Sequence, residues 1–131
     1  MDELVQWLRA QLDDDERTAR AATEGPWSVD ADSYAEAIYA ADRCTTVVAG
    51  GRWGGEASVF ESTEDALHIA RHDPARVLRE IDAARVLLAQ YEGLKDGLLD
   101  DMSGVFALET AIRAKAAVYA DRAGYREKWR P

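Results

Sequence analysis

Apolar residues recur at the spacing of an α-helix in three stretches of this chain, and no other feature restricts the fold as much. In residues 77–91 and 105–119 the apolar positions follow one another at intervals of three and four, and a shorter stripe occupies residues 4–12. Such stripes are typical of helices that bury one face. The chain therefore needs a fold in which several helices share a core.

The first helix is predicted over residues 2–22. Asp2 is a residue type that caps helix N-termini, and Glu3 suits the positive end of the helix dipole. Gly25-Pro26 ends the helix, because proline cannot continue it and restricts the residue before it.

The middle of the chain has strand signals. Residues 27–29 predict the start of a short strand, and residues 44–49 are rich in β-branched side chains, which favour strands. Residues 30–43 fit a helical turn or an irregular strand. A glycine-rich turn at residues 50–55 then leads to a predicted returning strand at residues 57–60.

Three helices are predicted after the sheet. Ser62 or Thr63 would begin a short helix, and Asp73-Pro74 would end it by starting the next one. The last helix is predicted over residues 103–120, after a linker at residues 92–101. Because each of the two longer helices carries an apolar stripe, we expect them to pack as an antiparallel hairpin.

Together these elements predict an α+β fold. It consists of an N-terminal helix, a small antiparallel β-sheet, and two longer helices paired as a hairpin. The corresponding segments are residues 1–24, residues 25–61, and residues 62–131, which include a C-terminal tail. A chain of 131 residues is expected to form a single domain, residues 1–131.

The net charge of −9 bears on the choice of partner and compartment. General nucleic-acid binders present a basic surface, so nucleic acid is not an expected partner. The first residues carry acids where a signal peptide has positive charge, and no apolar run approaches the ~20 residues that span a bilayer. These features predict a cytoplasmic protein that does not enter a membrane.

Cys44 is the single cysteine of the chain. An intramolecular disulfide and a cysteine zinc cluster are therefore excluded. Free cysteine usually packs as a small apolar residue, so Cys44 is expected to be buried.

The charge is unevenly distributed along the chain. Residues 1–16 hold six acids and a single base, whereas residues 113–131 hold six bases and two acids. If the two ends meet in space, they neutralise each other. If they do not meet, the C-terminal end forms a small positive patch.

Glu64, His68 and His72 are spaced four residues apart, so one face of a continuous helix would carry all three. This geometry could hold a metal ion. However, the glutamate that follows the first histidine in HExxH metalloproteases is absent, and Asp73-Pro74 breaks the helix beside His72. We expect structural or surface histidines here, and neither a bound metal nor another cofactor.

Other catalytic patterns are missing from the sequence. The serines lie in no GxSxG setting, and the glycine-rich residues 49–55 lack the lysine of a phosphate-binding loop. A non-enzymatic protein is therefore expected.

Besides the acidic N-terminal helix, two segments are candidates for binding a protein partner. Arg52 and Trp53 occupy the glycine-rich turn, and a tryptophan beside an arginine is typical of a binding hot spot, although Trp53 could equally fold back onto a helix. Arg126 and Trp129 form the second candidate, in a tail that could instead dock on the fold. A second copy of the chain could also bind, through the apolar stripe at residues 77–91.

Three separated blocks carry a resemblance to a known family. They are EGPW at residues 24–27, ALHIARHDPARVLRE at residues 66–80 and YADRAGYREKWRP at residues 119–131. The chain resembles an uncharacterised family of small actinobacterial and actinophage proteins that is described as a domain of unknown function.

The resemblance implies an accessory role in a phage or mobile element, without an established activity or catalytic residues. It also implies, for many members, a cysteine pair between the last two helices that suggests a zinc knuckle. Residues 92–103 hold no cysteine here, so zinc is not expected at that place.

The leading functional hypothesis is a non-enzymatic protein-interaction or regulatory protein. Three alternatives stay open. They are a metal-dependent enzyme using Glu64, His68, His72 and Asp73, an acidic inhibitor that mimics nucleic acid, and nucleic-acid binding by the tail from Arg113 onwards.

Overall fold

The computed structural model describes residues 1–29, 37–48, 62–97 and 102–131. It confirms the predicted α+β class, with an N-terminal helix, a small antiparallel sheet and then helices. The helices of the described residues are α1 (Asp2–Ala21), α2 (Thr63–Arg71), α3 (Pro74–Lys95) and α4 (Met102–Ala117), and a 3₁₀ turn follows at Glu127–Trp129. The strands are β1 (Ser28–Val29), β2 (Ile38–Tyr39) and β3 (Thr46–Val48).

The chain divides into two compact units. The helical unit consists of Met1–Asp15 and Glu80–Pro131, and the sheet unit consists of Glu16–Arg79. A single domain over residues 1–131 stays a prediction.

The helical unit has a core built from the predicted apolar stripes. Leu4, Leu8 and Leu12 repeat every four residues in α1, and none is more than 1% exposed. Most stripe residues of the two longer helices are buried as well, while Val77, Val105 and Leu108 are half-buried. The Tyr91 hydroxyl on α3 donates to the Glu109 carboxylate on α4 at 3.3 Å. The buried stripe residues after α1 are Ile81, Ala84, Leu88, Tyr91, Ile112, Ala116 and Tyr119.

Burial of the α3 stripe affects the suggested self-association. From Ile81 to Tyr91 its apolar side chains are already covered within one chain. Full burial of each such leucine or isoleucine contributes about 1.5–3 kcal/mol. Pairing of two copies would therefore need a different surface.

The sheet unit contains a three-stranded antiparallel sheet in the order β1-β2-β3. Val29 pairs with Ile38, and Ser28 pairs with Tyr39. Ile38 is fully buried in a cluster with two alanines of α2, and Val29 packs against this cluster. Because successive side chains of a strand point to opposite faces, the Ser28–Tyr39 pair lies on the face turned away from α2.

Two side chains start the helices of the sheet unit, as predicted. The Ser62 hydroxyl accepts the Asp65 N–H at 3.3 Å at the start of α2. The Asp73 carboxylate accepts the Arg76 N–H at 2.8 Å through one oxygen, and the Trp27 N–H at 2.8 Å through the other. Asp73 is 5% exposed, so this one side chain both caps α3 and anchors the segment that follows Gly25-Pro26.

The turn before β3 corrects the prediction for Cys44. This residue is exposed, not buried. The Asp42 carboxylate accepts the N–H groups of Cys44 and Thr45, both at 2.8 Å, and because of this side-chain-to-backbone turn the strand begins at Thr46 rather than at residue 44. Cys44 therefore lies in the turn, where it cannot pack into the core.

Other element boundaries differ by a few residues. Helix α3 continues to Lys95, into the predicted linker, and the basic side chain of Lys95 suits the negative end of the helix dipole. Helix α4 ends at Ala117 rather than at residue 120. The glycine-rich turn and the returning strand at residues 57–60 lie outside the described residues.

Replacing Asp73 with alanine should lower the free energy of unfolding by about 2–4 kcal/mol, because α3 loses its cap and the Trp27 N–H loses its acceptor. Urea denaturation followed by circular dichroism measures the change. Asp82→Ala, at an exposed position of the same helix, is the control and should change stability by less than about 0.5 kcal/mol. Equal stability of the two variants would contradict the role given to Asp73.

Candidate functional site

The C-terminal tail docks on the helical unit. Trp129 is 6% exposed, and its ring lies 5.4 Å from the Trp7 ring, measured between centroids. Tyr125 completes the cluster at 5.7 Å from Trp7 and 5.9 Å from Trp129, and the Trp7 indole N–H donates to the Ala123 carbonyl at 3.1 Å. Aromatic pairs at such distances stabilise a core. Trp129, a predicted partner-binding residue, therefore offers little surface to a partner.

Arg126, the second candidate in the tail, is exposed but engaged. Its guanidinium donates to the Glu3 carboxylate at 2.7 Å and lies 5.5 Å from the centroid of the Trp129 ring. Lys128 approaches the same carboxylate at 3.5 Å. A partner that used Arg126 would have to compete with Glu3.

The acidic and basic ends of the chain meet in the helical unit, so the neutralisation alternative is the one that the structure adopts. Most of these pairs are partly exposed, and such pairs contribute about 0–1 kcal/mol each. Their main effect is to cancel opposite charges along α1. Asp15–Arg122 joins the two ends in addition to the two pairs at Glu3, and α1 also pairs with α3 through Asp2–Lys95, Arg9–Glu92 and Asp13–Arg85.

His68 and His72 lie side by side at the end of α2, with ring centroids 4.2 Å apart. Both are exposed, and His72 Nδ1 lies 2.7 Å from the His68 carbonyl oxygen, to which it donates when protonated. Glu64 is exposed one turn earlier, while Asp73 is used by its two backbone donors. Within residues 1–29, 37–48, 62–97 and 102–131, no group of three or more histidine, cysteine, aspartate or glutamate side chains could hold a metal ion.

The remaining predicted site residues are Arg52 and Trp53. Both lie outside the described residues. Their role in partner binding stays a prediction.

A surface that the sequence reasoning missed lies on α4. Met102 is 71% exposed and Phe106 is 72% exposed, one helical turn apart. At about 100° per residue, the exposed positions of α4 cover an arc of about 140°. We call this surface the neutral face, because none of its exposed residues is charged, although the half-buried Arg113 lies within the same arc. Its residues are Met102, Ser103, Phe106, Ala107, Thr110 and Ala114.

Two charged residues of α4, within and beside this arc, are half-buried, and both are engaged inside the helical unit. Glu109 accepts from Tyr91, and the Arg113 guanidinium donates to the Lys128 carbonyl at 2.9 Å. On the neutral face even the Thr110 hydroxyl is occupied, since it donates to the Phe106 carbonyl at 3.0 Å. The exposed side of α4 therefore offers apolar contacts and almost no free polar group.

The exposed side of α1 differs from that of α4. Its exposed residues include Asp2, Glu3, Arg9, Asp13 and Asp14. A charged outer face is usual for a surface helix, whereas a helix that is apolar on most sides is normally covered. The neutral face thus has the composition of a surface that another molecule covers.

One sequence signal could have identified this surface. The apolar stripe from residue 105 to residue 119 accounts for the buried side of α4, and Met102 and Phe106 do not belong to it. Large apolar residues left over from a complete stripe indicate a second apolar side.

Within the described part of the chain, none of the helices has the length and apolar character needed to cross a lipid bilayer.

Replacing Gly124 with alanine should lower the free energy of unfolding by about 1–3 kcal/mol. Gly124 has φ +85°, and an added Cβ would lie 2.9 Å from the Trp7 indole nitrogen. Gly93→Ala is the matched control: nothing lies within 4 Å of the new methyl group in α3, so stability should rise by about 0.5–1 kcal/mol. Urea denaturation of both variants measures the effects, and an unchanged Gly124→Ala protein would contradict the tight docking of the tail.

Tyr119 should make the stability fall at alkaline pH. Burial, with a contribution from the nearby Asp15 charge, raises the pKa of its phenol from 10.0 to about 12. The unfolded chain therefore loses this proton first, so the stabilisation is complete below pH 10 and is lost between pH 10 and about 12. Allowing for solvent screening, the loss is about 1–2 kcal/mol.

Tyr119→Phe tests this by removing the titration. The difference in free energy of unfolding between wild type and variant, measured with urea at several pH values, should shift in favour of the variant above pH 10. A difference that is constant across this pH range would be inconsistent with the raised pKa.

Comparison with known proteins adds one finding. No curated protein and no solved structure matches the chain. The family model described as a family of unknown function (DUF6221) matches residues 1–131, and the chain therefore belongs to this family.

Proposed function

We propose that this protein is a non-enzymatic protein-binding protein and that the neutral face of α4 is its binding surface. The observation that carries the proposal is the exposure of Met102 and Phe106 on a helix side whose exposed residues carry no charge. The cores of protein interfaces are likewise depleted of charged residues and rich in methionine and aromatic side chains.

The chemistry of the face favours one kind of partner. Its exposed residues include no cation, so it does not suit nucleic acid, and no acid, so it does not suit a basic groove. An apolar, uncharged surface on a different protein is its complement, for example a hydrophobic groove that takes a helix. The net charge of −9 disfavours a second copy, because two copies repel each other over long distances.

The acidic residues support the mimicry alternative less well. Most of the six acids in residues 1–16 form ion pairs with bases of the helical unit. A mimic of nucleic acid needs its negative charges available to a basic partner. We therefore propose the neutral face, and not the acidic helix, as the binding surface.

The proposal that the protein is not an enzyme is supported by the hydrogen bonds of the candidate catalytic residues. Asp73 caps α3, and His72 bonds to the backbone of its own helix. These groups thus have structural roles. An accessory role in a phage or mobile element also belongs to the proposal, and its support is the sequence resemblance alone.

A photo-crosslinking residue at position 106 of the full chain, expressed in the native host, identifies the partner. The same residue at the exposed position 6 of α1 is the matched control. We expect a protein that is crosslinked from position 106 and not from position 6. Crosslinks to a second copy of this chain would replace the proposed partner with a homodimer.

The purified partner then allows a quantitative test by calorimetry. Phe106→Ser should weaken binding at least tenfold, since buried aromatic anchors contribute most to interface affinity. Val118→Ser, which removes an apolar side chain that is 69% exposed outside the neutral face, should leave the affinity unchanged. Affinity should depend little on salt.

Two outcomes would contradict the proposal. One is unchanged binding by Phe106→Ser, with circular dichroism confirming that the variant is folded. The other is an affinity that falls steeply with salt, which indicates electrostatic binding and favours the mimicry alternative.

A further inference from the structure

The sheet unit contains a groove that the protein-binding proposal does not use. Its volume is about 460 Å³, and its described lining consists of Ser28, Val29, Tyr39 and Arg43. Clefts that bind small molecules usually measure about 300–1,000 Å³. The groove therefore has room for a small ligand.

The strand register places two hydroxyl groups together. Ser28 and Tyr39 are directly paired across β1 and β2, on the face turned away from the core and α2. Side chains of directly opposed residues lie about 4.5–5.5 Å apart at their Cβ atoms. The two hydroxyls are thus close enough to donate hydrogen bonds to the same ligand.

Arg43 joins them from the turn after β2. Its backbone has φ 58°, in the left-handed region, and its N–H donates to the Ala40 carbonyl at 2.9 Å. The Asp42 carboxylate fixes the turn by accepting the N–H groups of Cys44 and Thr45, and also the Thr45 hydroxyl at 2.6 Å. The guanidinium group therefore extends from a well-braced backbone.

Arg43 differs from other arginines of the described chain in its surroundings. Arg20, Arg122 and Arg126 each bind a carboxylate of the protein. Within the described residues, the Arg43 guanidinium has no such partner, and no acid belongs to the described lining of the groove. The neighbouring Asp42 has both oxygens occupied by the turn.

We propose that this groove binds a small molecule through an oxyanion, a phosphate or a carboxylate. The Arg43 guanidinium donates to two oxygens of the group at once, and the Tyr39 and Ser28 hydroxyls donate to a third phosphate oxygen or to the remaining lone pairs of a carboxylate. The ring of Tyr39 contacts the apolar part of the ligand. The site is locally positive although the protein as a whole is acidic. It shares no residue with the neutral face.

Three probes test the proposal: inorganic phosphate, phenyl phosphate and benzoate. Titration of the full-length, isotope-labelled protein is followed by NMR. We expect saturable shifts of the backbone signals of residues 28–29, 39 and 43 with at least one probe. Tighter binding of phenyl phosphate or of benzoate decides between the two oxyanions, and tighter binding of phenyl phosphate than of inorganic phosphate supports the apolar contact.

Variants then identify the groups that bind. Arg43→Gln should raise the dissociation constant at least tenfold, because hydrogen bonds to a charged group are the strong ones. Arg43→Lys keeps the charge but lacks the planar guanidinium, so its dissociation constant should lie between those of wild type and Arg43→Gln. Tyr39→Phe should weaken binding by a smaller factor than Arg43→Gln. Arg79→Gln, an exposed position of the same unit, removes the same charge and should leave the affinity unchanged.

Three results would overturn the proposal. The first is the absence of saturable shifts at these residues with every probe. The second is equal affinity of wild type and a folded Arg43→Gln protein. The third is an equal loss of affinity in Arg43→Gln and Arg79→Gln. That result would show that the probe is attracted by the overall charge of the protein and does not bind at a specific site.

Discussion

Burial of three apolar helix stripes is the interaction on which the helical unit depends. The leucines of α1, the α3 stripe from Ile81 to Tyr91, and Ile112 and Ala116 of α4 have almost no exposed surface, and the aromatic rings of the tail extend this core. A single amphipathic helix is only marginally stable in water, so each of these helices relies on the others. Surface charge has a smaller part, because exposed ion pairs add little free energy.

This arrangement also determines which surfaces stay available. The tail is held by the Trp7–Tyr125–Trp129 cluster and by pairs with acids of α1, so the basic-aromatic segment is occupied by the fold itself. Helix α4 uses its apolar stripe and its charged residues inside the unit. Its solvent-exposed side is the neutral face, an exposed apolar surface of the kind that commonly marks an interaction site.

The two proposed surfaces differ in chemistry and in the way they are built. The neutral face is a broad apolar surface on one helix, which fits a protein partner. The groove is small and polar, and it combines a paired position of two strands with a turn that Asp42 braces. Each surface belongs to a different unit, so each can be altered without changing the residues of the other.

Local features of the sequence were enough to place the helices. Periodic apolar stripes, the caps Ser62 and Asp73, and the Gly25-Pro26 break act over a few residues, so α1 and α2 begin and end within one residue of the prediction. The sheet was harder to delimit, because its strands are only two or three residues long and depend on pairing with distant residues. The prediction that Cys44 is buried was wrong, because residue type indicates only the average burial of cysteines. The turn formed by Asp42 places this particular cysteine at the surface.

Composition and spacing also predicted that the acidic and basic ends would cancel if they met, but not whether they meet. That outcome, the docking of Trp129, the neutral face of α4 and the lack of a carboxylate partner for Arg43 among the described residues depend on which distant segments are packed against one another. A helix stripe shows that one side must be buried, and a free arginine looks the same in sequence as a paired one. Long-range packing therefore decided the surfaces of this protein, while its helices were already encoded in short-range pattern.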